Sequence, residues 1–395
     1  MQTINFEKPK SAMTDSLHLW FPNLFEFKGG IQVYLQDVLQ AIQELLPNLS
    51  VSILDNLDRN KPVDKFNSNN YLFTFSGSFP GFLRTLHFTF NLILKALIHR
   101  PNFILCGHIN FAPIAFLLHR ITGIPYGIIV YGIDAWEIKS IWKIKALYAA
   151  EKIISISSYT RDRLINEQNL SPDKIELLPV TFDAERFKLS SKPNYLLERY
   201  GLKPNQPVIL TVTRLSSDDG YKGYDQIIQA LPEIKHYIPD VHYILAGKGD
   251  DQPRIEQLIA QLNLQDSVTL TGFVPDRELC DHYNLCDVFA MPSKKEGFGI
   301  VYLEALACGK PVLGGNKDGA IDALCHGELG ALVNPDDVEE ISQILIEILQ
   351  GVYPNSLMYQ PEALRQKVID TFGFDRFQKT LANHLDGHFK ATKNK

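Results

Sequence analysis

The chain has 395 residues, of which 45% are hydrophobic and 21% are charged, and its formal net charge is −6. This composition is that of a folded globular protein, and the length suits two domains of roughly 150 to 200 residues each. A net negative charge argues against a nucleic-acid binder that neutralises phosphates, so we expect no nucleic-acid partner.

Short apolar runs alternate with amphipathic segments along the chain, which predicts βαβ units with parallel sheets. The first series of predicted strands covers residues 17–21, 51–55, 103–108, 126–132, 152–158 and 175–180. The second series covers residues 207–214, 241–249, 267–274, 287–293, 311–315 and 330–335. We therefore expect an α/β protein with two Rossmann-like domains that face a deep cleft, with ligands at the carboxyl ends of the strands.

A polar, turn-rich stretch between the two series places the domain boundary near residue 190. The predicted domains therefore cover residues 1–190 and 191–370. The segment 371–395 is predicted to form an amphipathic helix that crosses back to the first domain.

The first half of the chain is basic in its middle, with ten Lys and Arg against three Asp and Glu between Arg59 and Ala150. This strip is either a solvated face or a surface for a negatively charged acceptor or membrane. The basic, amphipathic segments 82–100 and 138–148 could touch an anionic bilayer, or they could simply cover a sheet. We keep peripheral contact with an anionic membrane as a prediction.

Five cysteines, at positions 106, 280, 286, 308 and 325, stand in apolar contexts and predict reduced core residues of a cytoplasmic protein. No pair of them has the spacing of a zinc site, so we expect no metal. The N-terminus lacks the apolar core of a signal peptide, and no run reaches about 18 uncharged apolar residues. The predicted location is the cytoplasm or the inner face of the membrane.

Several residues of the first half follow predicted strands. Gly29 and Gly30 form a strand-to-helix turn whose N–H groups could meet a phosphate. His108 could orient a hydroxyl or shield a cationic centre, or it could be a satisfied structural residue. Tyr131 and Asp134 lie where an aromatic ring and an acid could bind sugar, although Asp134 could equally cap a helix.

Two cations follow the first strand of the second series. Arg214 and Lys222 could clasp a diphosphate and neutralise its charge as it leaves. Alternatively, Lys222 lies on the surface and Arg214 pairs with Asp218 or Asp219.

The stretch "EGFGIVYLE" places Glu296 and Glu304 on either side of a glycine-rich turn that opens a predicted helix near Ile300. Their spacing allows a separation of at most about 12 Å, and at 100° per residue they do not share one face. A single metal ion is therefore an unsuitable ligand. An elongated ligand with hydroxyls at both ends and negative charge between them, such as a nucleotide sugar, fits this pattern better. An ordinary turn with solvated glutamates is the alternative.

Together these motifs resemble the retaining glycosyltransferases of family 4, which have the two-domain GT-B fold. The resemblance rests on "PSKKEGFGIVYLEALACGKPVLGG" (292–315), which is similar to the E-x7-E signature, and on "VTRLSSDDGYKGYDQII" (212–228). It extends to "LAGKGDD", which contains Gly247, to "LTGFVPDRELCDHYNLCDVFAMPS" and to "FKGGIQVYLQDVL". Two departures concern the acceptor side: "VTFD" (180–183) replaces the usual N-G-V-D, and Tyr131 replaces a common histidine.

The resemblance implies that the domain over 1–190 binds the acceptor and that the domain over 191–370 binds the nucleotide sugar. It also implies a role toward the donor for each matching position. Glu304 would hold the ribose, Glu296 would face the donor sugar, and Arg214 and Lys222 would bind the diphosphate. The other implied donor contacts are Gly29, Gly30, Gly247, Phe273, Val274, Gly297, Phe298 and Gly299. The implied catalytic residues are Glu296, His108, Arg214 and Lys222, and Tyr131 and Asp134 are the acceptor-side candidates.

The resemblance also implies a reaction. A hexose would pass, with retention, from a nucleotide-diphosphate sugar of the GDP-mannose or UDP-glucose type to a glycan, glycolipid or small sugar. No D-x-D motif lies at a strand end, so we expect no metal and no cofactor beyond the co-substrate. The alternatives are a nucleotide-sugar epimerase of the same fold and a non-catalytic glycan-binding protein.

Overall fold

The computed structural model describes residues 15–26, 29–62, 66 and 69–389. The strands in this part of the chain are β1 (Ser16–Phe21), β2 (Ser50–Asp55), β3 (Tyr71–Phe75), β4 (Phe103–Cys106), β5 (Tyr126–Val130), β6 (Lys152–Ser155), β7 (Ile175–Leu177), β8 (Val208–Val212), β9 (His242–Ala246), β10 (Val268–Gly272), β11 (Val288–Met291), β12 (Val312–Gly315) and β13 (Ala331–Val333).

The helices of the same residues connect these strands, as expected for βαβ units. They are α1 (Gly30–Leu45), α2 (Gly81–His99), α3 (Ala112–Thr122), α4 (Ile141–Ala149), α5 (Ser158–Gln168), α6 (Asn194–Tyr200), α7 (Tyr224–Tyr237), α8 (Gln252–Gln261), α9 (Asp276–Leu285), α10 (Ile300–Ala307), α11 (Ala320–Ala323), α12 (Val338–Leu349), α13 (Pro361–Phe372) and α14 (Phe374–Leu385).

The strands form two sheets with the strand order of doubly wound folds. The first sheet has the order β3-β2-β1-β4-β5-β6-β7, and the second has the order β10-β9-β8-β11-β12-β13. In the first, β1 pairs in parallel with β2 and β4, and in the second β8 pairs in parallel with β9 and β11. The order therefore reverses between β1 and β4 and again between β8 and β11, where such folds bind ligands.

The predicted fold class, α/β with two parallel sheets, is confirmed. Every predicted strand overlaps an observed strand. The prediction missed β3, which lies at the edge of the first sheet and is mostly half-buried, with only Tyr71 fully covered. An edge strand of this kind lacks the continuous apolar run that marks the central strands.

Contacts divide the chain into two compact units, each of which is described by itself. The first unit comprises Met1–Ile129, Ile141–Lys152 and Ala382–Lys395, and the second comprises Val130–Ser140 and Ile153–Leu381. In the first unit, Lys152 Nζ donates to the carbonyl of His384 at 3.0 Å, and the rings of Phe103 and His388 lie 4.2 Å apart. The domain bounds 1–190, 191–370 and 371–395 stay a prediction.

A buried carboxylate shapes the first unit just ahead of the diglycine. Asp58 accepts the backbone N–H groups of Leu24, Phe25 and Glu26 at 2.6, 2.7 and 3.0 Å. Burial, followed by the nearby Asp58 carboxylate, raises the pKa of Asp55 to about 8. Asp58 therefore fixes the backbone of residues 24–26, and the Asp55 carboxyl stays mostly protonated at neutral pH.

The second unit fixes its central strands with a buried polar chain. The Tyr243 hydroxyl donates to Thr211 Oγ1 at 2.8 Å, and Thr211 donates to the carbonyl of Ala290 at 2.5 Å. These residues join β9, β8 and β11 beneath their apolar contacts. The loops that follow β8 and β11 consequently leave the sheet from fixed positions.

Candidate functional site

Two loops of the second unit meet through an ion pair. Lys222 lies at the end of the short helical turn that follows β8, and Glu296 lies in the loop that follows β11. Lys222 Nζ donates to Glu296 Oε2, and the two side chains are only 14% and 19% exposed. Because β8 and β11 are the strands at which the order reverses, the pair lies where doubly wound sheets bind ligands.

A buried aspartate fixes the loop that presents Glu296. The Asp318 carboxylate accepts Ser293 Oγ at 2.6 Å, the Glu296 N–H at 2.7 Å and the Ala320 N–H at 2.9 Å. The Gly319 N–H returns a bond to the Glu296 carbonyl at 2.8 Å. Burial raises the pKa of Asp318 to about 7. The sequence reasoning missed this residue, because it is 22 positions from Glu296 and carries no local motif.

The same loops approach their neighbours so closely that glycine is required. Gly223 has φ +84°, and a Cβ there would lie 2.3 Å from the Pro292 carbonyl oxygen. A Cβ on Gly297 would lie 1.8 Å from the Tyr131 carbonyl oxygen. The Lys294 N–H also donates to the Tyr221 carbonyl at 3.0 Å, so backbone as well as side chains join the β8 and β11 loops.

Glu304 occupies a separate, buried position on α10. It is 8% exposed, and its Oε2 accepts the Tyr283 hydroxyl of α9 at 2.6 Å. Burial raises its pKa to about 7, against the opposing hydrogen bond from Tyr283. As predicted, α10 begins at Ile300, and the two glutamates have different partners. Tyr283 is a second residue that sequence reasoning missed.

Arg214 has its own acidic partner. Its Nη2 lies 2.9 Å from Asp219 Oδ2, and its side chain is 66% exposed. The Tyr221 hydroxyl donates to the other oxygen of Asp219 at 2.8 Å. The alternative left open for Arg214 is therefore the contact observed in the free protein, whereas Lys222 is mostly buried against Glu296 and is not a surface residue.

Further predicted donor residues lie at the ends of β9 and β10. The Gly247 N–H donates to the Gly272 carbonyl at 2.9 Å, which joins the two strand ends. Phe273 is 62% exposed, with Lys248 Nζ 5.4 Å from the centre of its ring, and Val274 follows it. An exposed aromatic ring at a strand end is available to a planar ligand.

Three further predicted residues are held by contacts within the protein. The ring of Phe298 is 1% exposed and packs 5.5 Å from the Phe372 ring, so only its backbone could meet a ligand. Tyr131 is 7% exposed, and its N–H donates to Asp134 Oδ1 at 3.0 Å. Asp134 therefore closes a turn, and no helix begins there.

Three other predicted residues belong to the first unit. Gly29 caps α1 in extended conformation and Gly30 is its first residue, while Lys28 lies outside the described residues. The Nδ1 atom of His108 accepts the Asn110 N–H at 3.1 Å, which is a structural role. Burial, followed by Lys143, lowers the pKa of His108 to about 4, so its imidazole is neutral at physiological pH. Their roles toward a donor stay predictions.

The expectation that all cysteines are core residues is wrong for two of them. Cys106, Cys286 and Cys308 are buried, whereas Cys280 and Cys325 are half-buried. Cys280 lies within α9 and Cys325 lies in a short helical turn after α11, and both elements are only partly covered. In the described part of the chain, no group of three or more His, Cys, Asp or Glu side chains is arranged to hold a metal ion.

Residues 196–360 match the family model of glycosyl transferases group 1. A GDP-mannose-dependent alpha-(1-6)-phosphatidylinositol monomannoside mannosyltransferase of Mycolicibacterium smegmatis is 34% identical over 250 residues, which are 61% of this chain and 64% of that protein. These matches show that a large part of the chain is similar to glycosyl transferases group 1. The chain thus spans less than two thirds of the mannosyltransferase's length.

Solved structures share the fold over nearly the whole chain. Anabaena Alr3699/HepE in complex with UDP has a TM-score of 0.73 at 20% identity, covering 94% of this chain and 99% of that one. Sucrose-phosphate synthase of Thermosynechococcus elongatus has a TM-score of 0.76 at 19% identity, covering 94% and 98%. The predicted GT-B architecture of two parallel α/β sheets is confirmed by this likeness.

Glu304→Gln should make stability less sensitive to pH. A carboxyl whose pKa is raised from 4.5 to about 7 by folding keeps its proton in the folded protein, so its contribution to stability falls as pH rises across that range. Glutamine keeps an oxygen for Tyr283 and removes the ionisation. We expect the variant to match the wild type near pH 5 in urea unfolding and to exceed it near pH 8 by up to about 3 kcal/mol.

The control for this prediction is Glu198→Gln, because Glu198 is an exposed helical residue. It should leave the pH dependence unchanged. Equal pH slopes for wild type and Glu304→Gln would contradict the prediction, because they would show that folding leaves the pKa of Glu304 unchanged.

Proposed function

We propose that this chain is a retaining, metal-independent glycosyltransferase that moves a hexose from a nucleotide-diphosphate sugar to an acceptor hydroxyl. The observation that supports it most is the Lys222–Glu296 pair at the reversal between β8 and β11. A cation and an anion in contact there can separate to take the phosphate and the hydroxyls of one elongated ligand.

The diphosphate would take over the two cations. Lys222 would leave its ion pair with Glu296 and bind phosphate oxygens, and Arg214 would likewise leave its ion pair with Asp219. The N-terminus of α10 adds backbone N–H groups, since Gly299 caps it without a side-chain hydrogen bond. Together these groups would supply the positive charge that a metal ion supplies in other transferases.

The remaining parts of the donor follow from this placement. Glu296, released from Lys222, would accept hydroxyls of the sugar, and Glu304 would accept those of the ribose. Phe273 and Val274 would lie beside the base. Because Glu304 holds a proton near neutral pH in the free protein, ribose binding would favour its ionised form.

In the proposed reaction, the bond between the anomeric carbon and the diphosphate breaks while the acceptor oxygen bonds to the same face. The acceptor proton passes to an oxygen of the leaving diphosphate. Lys222 and Arg214 neutralise the charge that develops there. No carboxylate nucleophile is needed, and Glu296 acts by orienting the sugar.

The comparisons support a hexose donor. The Mycolicibacterium relative is named as GDP-mannose-dependent, and the Anabaena protein has been solved with UDP and glucose. We therefore propose a donor of the GDP-mannose or UDP-glucose type. The relative's name, which includes a phosphatidylinositol mannoside, also supports a glycolipid as one acceptor to test.

A transfer assay tests this function. The wild type is incubated with GDP-mannose or UDP-glucose, a panel of sugar and glycolipid acceptors, and chelator. We expect it to release nucleoside diphosphate and to form an α-linked product. Glu296→Gln should lower turnover by about 100-fold or more, because the sugar loses an orienting acceptor. The control, Glu256→Gln on the exposed face of α8, should keep full turnover.

Other outcomes would replace the proposal. Conversion of the donor sugar without acceptor would indicate an epimerase, and tight sugar binding without turnover would indicate a glycan-binding protein. A β-linked product would contradict retention.

We also propose that the first unit contacts an anionic membrane. Residues 65–133 contain no aspartate or glutamate. Helix α2 contacts α3, and α3 contacts α4. The three helices expose large apolar side chains, and the basic residues Arg100, Arg120 and Lys145 are exposed on or next to them. The most exposed are Phe82 (73%), Ile121 (70%), Ile98 (66%), Phe90 (62%), Leu86 (60%), Ile141 (57%) and Trp142 (57%).

A bilayer with negative headgroups matches both features, since it takes apolar side chains and attracts cations. Among the described residues, none of the helices has the length and apolarity needed to cross a bilayer. The proposed contact is therefore at the surface. The cytoplasmic location stays a prediction.

Vesicle sedimentation tests the membrane contact. The wild type should bind vesicles of mixed anionic and zwitterionic lipids, bind purely zwitterionic ones weakly, and lose binding as salt rises. Phe82→Ser with Phe90→Ser should reduce binding about tenfold or more. Tyr237→Ser with Val352→Ser, at exposed sites of the second unit, should not. An equal loss of vesicle binding in the two double variants, or no vesicle binding by the wild type, would contradict the proposal.

A further inference from the structure

Two thiols that the proposed mechanism does not use lie next to each other in the second unit. Cys280 is on α9, and Cys308 directly follows α10. Their Sγ atoms are 3.8 Å apart. Cys308 is buried, whereas Cys280 is half-buried, so a small solute reaches the pair from the Cys280 side.

The thiol pair is one helical turn from the proposed ribose contact. Tyr283 lies three residues after Cys280 on α9, so these two side chains share one face of that helix. Cys308 lies four residues after Glu304, so these two share one face at the end of α10. The Tyr283–Glu304 hydrogen bond and the Cys280–Cys308 contact therefore form two adjacent cross-connections between the same helices. The Cys308 N–H also donates to the Glu304 carbonyl at 3.2 Å.

Cys280 differs in its electrostatics from the other cysteines. The hydrogen bond with Cys308 lowers the pKa of Cys280 to about 6, despite partial burial. Burial instead raises the pKa of Cys106, of Cys286 to about 12 and of Cys325 to about 11. A partly exposed thiolate beside a second thiol has the features of an oxidisable pair.

We propose that Cys280 and Cys308 form a redox modification site, at which a peroxide makes a reversible disulfide that weakens nucleotide binding at Glu304. The Cys280 thiolate attacks the peroxide, breaks its O–O bond and becomes a sulfenic acid, and the hydroxide that leaves takes up the proton released by the Cys280 thiol to form water. The Cys308 sulfur then attacks the Cys280 sulfur, and its proton leaves with the hydroxide as a second water. The two thiols lose two electrons in total, and one hydrogen peroxide gains them.

The bond changes the geometry around Glu304. A disulfide requires the sulfur atoms to approach from 3.8 Å to about 2.05 Å, so the side chains turn or the ends of α9 and α10 move together. The adjacent Tyr283–Glu304 contact shares both helices and shifts with them. The effect on nucleotide rests on the proposed function, whereas the disulfide itself does not.

The first experiment maps the bond. The full-length reduced chain is treated with hydrogen peroxide at a slight molar excess, its free thiols are counted, and its peptides are analysed without reduction. We expect a loss of two of the five thiols and one cross-linked peptide pair containing Cys280 and Cys308. Cys280→Ser and Cys308→Ser should each abolish the cross-link, whereas Cys325→Ser, at the other half-buried cysteine, should keep it.

The second experiment measures GDP and UDP binding by calorimetry before oxidation, after it, and after a thiol reductant. We expect about a tenfold increase in Kd that the reductant reverses and that Cys280→Ser does not show. Other cysteine products without the cross-link would overturn the modification site, and a cross-link that leaves Kd unchanged would overturn its effect. If the reduced chain binds no nucleotide, the proposed function and the nucleotide effect both fail, while peptide mapping still decides the disulfide.

Discussion

The Asp318 carboxylate is the contact on which the candidate site depends. It accepts three hydrogen bonds while fully buried, and one of them fixes the backbone of Glu296. With that backbone fixed, the Glu296 side chain reaches Lys222, and Gly297 lies against the Tyr131 carbonyl. Without Asp318, the Glu296 N–H would lose its buried acceptor, and the Glu296 side chain of the ion pair would no longer be held in place.

Sheet topology explains why distant parts of the chain meet at this point. Lys222 and Glu296 are 74 positions apart, yet their loops follow β8 and β11, which are neighbours in the second sheet. The reversal of strand order opens space above these two strands for a ligand. Elsewhere in the unit, Glu304 and Tyr283 connect α10 to α9, so one short segment has a partly exposed acid at its start and a buried acid at its end.

Much of the fold followed from the sequence, because buried parallel strands are continuous apolar runs and their bounds are visible. The start of α10 at Ile300 and the separate environments of Glu296 and Glu304 also followed, since helical geometry fixes both. The edge strand β3 was missed because its half-buried side chains have no such run.

The contacts within the site were harder to predict. Sequence reasoning paired Arg214 with Lys222 on one ligand but had no means of seeing that Lys222 bonds to Glu296 in the free protein. Asp318 and Tyr283 were missed because tertiary structure alone brings them to the glutamates. For the same reason, the cysteines were read as inert core residues, although Cys280 and Cys308 face each other across two helices.

The central claim is that the second unit holds a nucleoside diphosphate through its own side chains and backbone N–H groups, without a metal ion. The most direct measurement is thermal stabilisation by GDP, UDP, ADP and their sugars, with and without chelator, for wild type and Glu304→Ala. We expect one base to stabilise the wild type, with or without chelator, and the shift to disappear in the variant. No shift with any nucleotide, or a shift abolished by chelator, would contradict the account.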